Sequence, residues 1–153
     1  MDEVKKIDEI DVKIIRLLQA NARSTVSEIA EKIKMSVPAV SERIKKLENS
    51  GIISKYTCVL DNAKLGRELT AFLFVSLDTP DCMDQLREAI AGEKDVLESH
   101  YITGTFDYIL KVVTTDTDSL ERLIYRIKRI PGVQKSNTCV VLSTDKDLLP
   151  IQL

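Results

Sequence analysis

The stretch Met35–Gly51 reads Met-Ser-Val-Pro-Ala-Val-Ser-Glu-Arg-Ile-Lys-Lys-Leu-Glu-Asn-Ser-Gly, and its residue types suit recognition of a polyanion rather than bond-making chemistry. Val37, Val40, Ile44 and Leu47 recur at a three-or-four spacing and share one face of a helix, leaving Pro38, Ala39, Ser41, Glu42, Lys45 and Lys46 on the other. The outer face is short-chained where it begins and cationic where it ends. Small side chains let a helix approach base edges, and lysines a turn later reach phosphates, so the pattern suits a major groove. Ser36 is a good N-cap, Pro38 fits the first turn, and Gly51 stops the helix. The same pattern also describes an ordinary solvated helix, so its neighbours must decide.

A second constellation is Gly104-Thr105-Phe106-Asp107-Tyr108. Between two strands, a glycine lets the backbone bend so that its amides point outward as a small anion site, and Asp107 supplies an anion for an ammonium group. A free amino acid presents both charges about one bond apart. Gly104, Thr105, Asp107, Tyr108 and Thr138 are therefore the candidate effector residues. The alternative is a glycine that merely serves a hairpin, capped by Asp107.

Other chemistry is poorly provided for. Cys58, Cys82 and Cys139 stand far apart without paired spacing, so neither a disulfide framework nor a metal site is expected, and His100 is the sole histidine, in a strand pattern. No catalytic residue and no cofactor are expected. The net charge of −2 conceals a division. Residues 1–60 carry 11 Lys and Arg against 9 Asp and Glu, a net +2, whereas 61–153 carry 11 against 15, a net −4. From Lys32 to Lys46 five basic residues (Lys32, Lys34, Arg43, Lys45, Lys46) oppose Glu42 alone, and affinity for a polyanion follows such a patch more than the whole-chain sum. No apolar run approaches the roughly 18 residues that cross a bilayer, and Met-Asp-Glu-Val-Lys-Lys lacks a signal-peptide core. A cytoplasmic protein with no membrane partner is expected.

The positioning elements follow from periodicity. Asp8–Asn21 reads as a helix with Ile10, Ile14, Leu17 and Leu18 inward; Thr25 and Glu28 form a capping box opening a second helix with Val26, Ile29, Ala30 and Ile33 on one face. A tight turn at Lys34-Met35 leads into the Met35–Gly51 helix, a helix-turn-helix arrangement. Ile52–Leu60 is rich in β-branched residues and predicts a strand, the wing and exit of this domain. The polar run Asp61–Glu68 marks the boundary, giving domains 1–62 and 63–153. Strands over 69–77, 96–103, 106–115 and 133–143, with helices from Asp81 to Ala91 and after Thr115-Asp116-Thr117-Asp118, make a βαββαβ ferredoxin-like unit. The fold class is α+β. Two helices cover only one face of such a sheet, yet Phe72 and Phe74 fall on the other, so a second copy is expected to cover it, making a homodimer.

These residues resemble, over nearly the whole chain, the Lrp/AsnC family of feast/famine transcriptional regulators. The resemblance lies in Ile7-Asp8-Glu9-Ile10-Asp11, Asn21-Ala22-Arg23, Ser36, Ala39-Val40-Ser41, Arg43-Ile44-Lys45-Lys46-Leu47-Glu48, Gly51-Ile52-Ile53, the Gly104–Tyr108 turn, Pro131-Gly132-Val133, Thr138 and Leu149-Pro150. It implies a winged or simple helix-turn-helix that binds double-stranded DNA, a C-terminal RAM-type effector domain, dimers assembling into tetramers or octamers, and amino-acid ligands held between subunits. By this likeness Ser36, Val37, Pro38, Ala39, Ser41, Glu42, Arg43, Lys45 and Lys46 form the DNA-binding set. Many relatives carry Pro after the cap serine and a second Arg before position 43, where this chain has Val37 and Glu42, so the operator sequence does not transfer. Siroheme decarboxylases look similar in both domains and give an enzymatic alternative; an effector-independent DNA-architectural protein is another.

Overall fold

A computed structural model describes residues 7–146 and 151. The chain divides into two units: residues 1–59 with 146–153, and residues 60–145.

The first unit is three helices around one apolar cluster. α1 (Glu9–Ala20) begins at Asp8, whose carboxylate accepts from the Ile10 and Asp11 amides while the Asp11 side chain answers the Asp8 amide. Asp8 is held below its ordinary pKa first by the Asp11 amide and then by Arg43. α2 (Val26–Ile33) opens on the expected Thr25/Glu28 box, which satisfies two amides the helix leaves unpaired. α3 (Val37–Asn49) is capped by Ser36, whose hydroxyl accepts from the Ala39 amide at 3.4 Å. Between α2 and α3 the chain turns at Lys34, in the left-handed conformation at φ 57° that usually selects glycine. Ile14, Ile29, Val40, Ile44 and Leu47 form the cluster, flanked by Ile10, Leu17, Val26 and Met35.

The expected strand over Ile52–Leu60 does not form. Only Ile53 is anchored there, its amide donating to the Leu47 carbonyl and its side chain packing on the cluster; Tyr56, Val59 and Leu60 are exposed. β-branched composition creates no ladder without a second strand to pair with. The chain's end also departs from the expected division at 62/63, because the described residues Lys146 and Ile151 group with the helical unit, where Gln19 Nε2 donates to the Ile151 carbonyl at 3.0 Å. Expectations on Leu149 and Pro150 lie outside the described residues.

The second unit runs β1 (Leu69–Leu77), α4 (Met83–Ala91), β2 (Val96–Tyr101), β3 (Tyr108–Thr114), α5 (Thr117–Lys128), β4 (Val133–Val140). Its antiparallel sheet has the order β2-β3-β1-β4, the expected split arrangement. Ala71, Leu73, Val75, Leu110 and Val112 point to one side and close a core with Leu86, Ile90, Leu120, Leu123 and Ile127 of the helices. β1 carries Phe72 and Phe74 to the opposite side, where Ile109 and Lys111 of β3 are their register partners. That face stays half-open, and Phe74 and Phe106 stack there at 5.6 Å. Among the described residues no helix is long and apolar enough to cross a membrane.

Candidate DNA-binding helix and effector loop

α3 is held by three buried residues, Val40, Ile44 and Leu47, at 0%, 9% and 3% exposure. That anchoring turns the rest of the helix outward. Ser36, Pro38, Glu42, Lys45 and Lys46 are exposed; Ala39 and Ser41 are half-buried, their small side chains lying between the anchoring stripe and solvent. Val37, which periodicity puts on the inner face, is 44% exposed. As the first residue of α3 it precedes the turn whose side chains reach the cluster, so it joins the outer surface.

Arg43 behaves differently from its lysine neighbours. Its Nη1 donates to Asp8 Oδ2 at 2.7 Å and Asp11 Oδ1 at 2.8 Å, and only 29% of its side chain is exposed. These carboxylates, Asp8 first, hold the guanidinium above its ordinary pKa. The expected role of Arg43 as a groove contact therefore gives way, in this geometry, to fastening the start of α1 onto α3. Spacing along α3 could not reveal this, because both partners lie on another helix.

The basic surface extends past α3. Lys13, Arg16, Lys32 and Lys34 surround a shallow cavity of about 460 Å³ floored by Leu17 and Ile33. Lys32 and Lys34 were in the expected patch. Lys13 and Arg16 were not, since only the packing of α1 on α2 brings them there.

In the second unit the chain between β2 and β3 bends at Gly104, φ 124°, a conformation that excludes most side chains. Asp107 stitches this loop to the end of β1: its amide donates to the Val75 carbonyl at 3.0 Å, its carbonyl accepts from the Ile102 amide at 2.8 Å, and Oδ2 accepts from the Leu77 amide at 2.8 Å. Ser76 Oγ donates to the Thr105 carbonyl at 3.4 Å. The Asp107 carboxylate thus performs the capping work of the hairpin alternative. It also borders a cleft of about 80 Å³ lined by Leu77, Asp78, Thr79, Pro80, Met83 and Tyr101.

Two expected members of the effector set lie elsewhere. Thr138 pairs with Leu73 on β4, and β1 separates it from β3, so one chain does not bring it to the loop. Tyr108 is 2% exposed beneath α4 rather than facing the cleft. Sequence proximity to Gly104 misleads here because the first residue of a strand points to whichever face alternation assigns it. Among the described residues no group of three or more His, Cys, Asp or Glu could hold a metal.

Comparison with known proteins bears on both units. Residues 7–54 match a winged helix-turn-helix DNA-binding domain and residues 70–150 match the Lrp/AsnC ligand binding domain. The chain belongs to the Lrp/AsnC family. It is similar to the HTH-type transcriptional regulator FL11 of Pyrococcus horikoshii, at 32% identity with 95% of this chain and 97% of the relative covered. It is also similar to the leucine-responsive regulatory protein of Klebsiella pneumoniae, at 31% identity over 93% of this chain and 88% of that one. A Neisseria meningitidis transcriptional regulator solved as an L-Met complex matches with a TM-score of 0.89 and 29% identity, covering 95% and 97% of the two chains. This Lrp/AsnC protein is a DNA-binding transcriptional regulator with a ligand-binding domain, and not an enzyme.

Proposed function

We propose that this regulator works in the cytoplasm as a homodimer, or a tetramer or octamer built from dimers, whose paired α3 helices enter successive major grooves and whose effector is an amino acid. The half-open sheet face carries this proposal. Phe72, Phe74, Phe106 and Ile109 make an apolar surface that a single chain leaves uncovered, and a second copy of the same sheet is complementary to it. In α3, Val37, Pro38, Ala39, Ser41 and Glu42 meet base edges while Lys45 and Lys46 bind phosphate; Ser36 caps the helix, and Arg43 orients it through Asp8 and Asp11.

The effector sits at Gly104, Thr105 and Asp107, with backbone amides toward its carboxylate and Asp107 toward its ammonium. A cleft of about 80 Å³ holds only a few water-sized groups, so the ligand's side chain projects beyond one protomer and is covered by another copy. The L-Met complex of the Neisseria relative supports an amino acid as the class. Thr138 and Tyr108 take no part within the same chain; a partner's copy of Thr138 remains a contributor on this proposal.

Fluorescence anisotropy of the chain's own promoter fragment, titrated across salt with and without each of the twenty amino acids, tests the function, together with sedimentation of wild type and Phe74→Asp. Expected are a steep salt dependence, a shift with at least one amino acid, and a smaller assembly in the variant. DNA binding with no response to any amino acid would favour the architectural alternative, and a wild-type monomer would refute the dimer.

A further inference from the structure

Alternation along β3 sends Tyr108, two residues before Leu110, into the layer beneath α4. Its ring packs against Tyr101 at 5.4 Å. Its hydroxyl is buried and has no hydrogen-bond partner among the described residues. A phenylalanine would pack as well without stranding a donor, so the hydroxyl calls for an explanation beyond packing.

That hydroxyl lines an open groove of about 500 Å³ between the end of α4 and the edge strand β2. Arg87 lines it too, close enough to the phenol that Tyr108 is the main influence raising its guanidinium above the ordinary pKa. Apart from Tyr108, Arg87 has one charged neighbour, Asp84 at 3.0 Å, in a pair so exposed that it competes weakly. Ile90, Ala91, Val96 and Leu97 make the apolar wall. The two carboxylates at the groove are committed: Glu93 receives both arms of Arg126 at 2.8 Å, and Glu98 receives Lys111 at 3.2 Å and sits 3.3 Å from His100.

We propose that this groove is a second ligand site, which takes a small monocarboxylate with a branched apolar body, its carboxylate bound by the Tyr108 hydroxyl and the Arg87 guanidinium. Two donors and an apolar wall match a carboxylate joined to an aliphatic chain. With Glu93 and Glu98 already paired, nothing in the groove is set to receive an ammonium, so a 2-oxo acid fits better than the corresponding amino acid. The groove lies on the helix side of β2 and does not depend on the effector role of Gly104–Asp107. Tyr101 borders both places and is left untouched in the test.

The test is isothermal titration of the full-length protein with 4-methyl-2-oxopentanoate and, separately, with L-leucine, on wild type, Tyr108→Phe, Arg87→Gln and Asp107→Asn. The oxo acid is expected to give saturable heat with wild type, weakened about tenfold or more by Tyr108→Phe and by Arg87→Gln and unchanged by Asp107→Asn. Tyr108→Phe keeps the ring, and Arg87 is a surface residue, so melting curves of both variants should match wild type. No saturable heat from millimolar oxo acid, or equal affinity in Tyr108→Phe, would overturn the site. Loss of L-leucine binding in Tyr108→Phe without any oxo-acid binding would assign the phenol to the amino-acid site and refute the second one.

Discussion

Arg43 offers the sharpest test of how the DNA-binding unit is held. Arg43→Met removes the charge and both hydrogen bonds while keeping an unbranched stem. The consequence falls mainly on Asp11, whose side chain is only 10% exposed and which would retain just the Asp8 amide, at 3.2 Å. Losing a charge-assisted bond to a largely buried carboxylate costs about 2 kcal/mol. For a unit of this size that lowers the melting temperature by roughly 10 °C. Two assays separate the roles. Thermal unfolding by circular dichroism should show the loss, and a double-mutant cycle with Asp11→Asn should show strong coupling. DNA binding measured well below the new melting temperature should keep its wild-type salt slope, whereas Lys45→Ala should reduce that slope by about one. A variant that melts like wild type but loses a unit of salt slope would prove Arg43 a phosphate contact and refute the clamp.

Other outcomes follow from the same geometry. Lys34 holds a left-handed conformation at φ 57°, so Lys34→Gly should raise stability by about 1 kcal/mol, read as a higher urea midpoint at unchanged slope. Glu93 is held below its ordinary pKa chiefly by Arg126; a depressed carboxylate adds stability above its unfolded value and loses it as pH falls through the folded one. Glu93→Gln should accordingly destabilise by about 1 kcal/mol or less near neutrality, since Arg126 is 46% exposed, and by nothing at about pH 3. Equal destabilisation at both pH values would show a packing effect instead.

Local pattern carried a good part of this protein. The stripe of Val40, Ile44 and Leu47, the Thr25/Glu28 box, the Ser36 and Asp116 caps and the two-faced alternation of β1 were all legible, because each depends on residues within a turn or a pair of pleats of one another. Tertiary structure decided what those elements meet. Arg43 turns to Asp8 and Asp11 because α1 lies across α3; Ile52–Leu60 stays unpaired because no strand lies beside it; Thr138 is parted from Gly104 by the insertion of β1 between β3 and β4. The Tyr108 hydroxyl is buried for the same reason, since α4 covers that side of the sheet. Periodicity and capping are properties of neighbours along the chain, whereas ion-pair partners, strand order and the depth of a side chain are set only when distant segments pack.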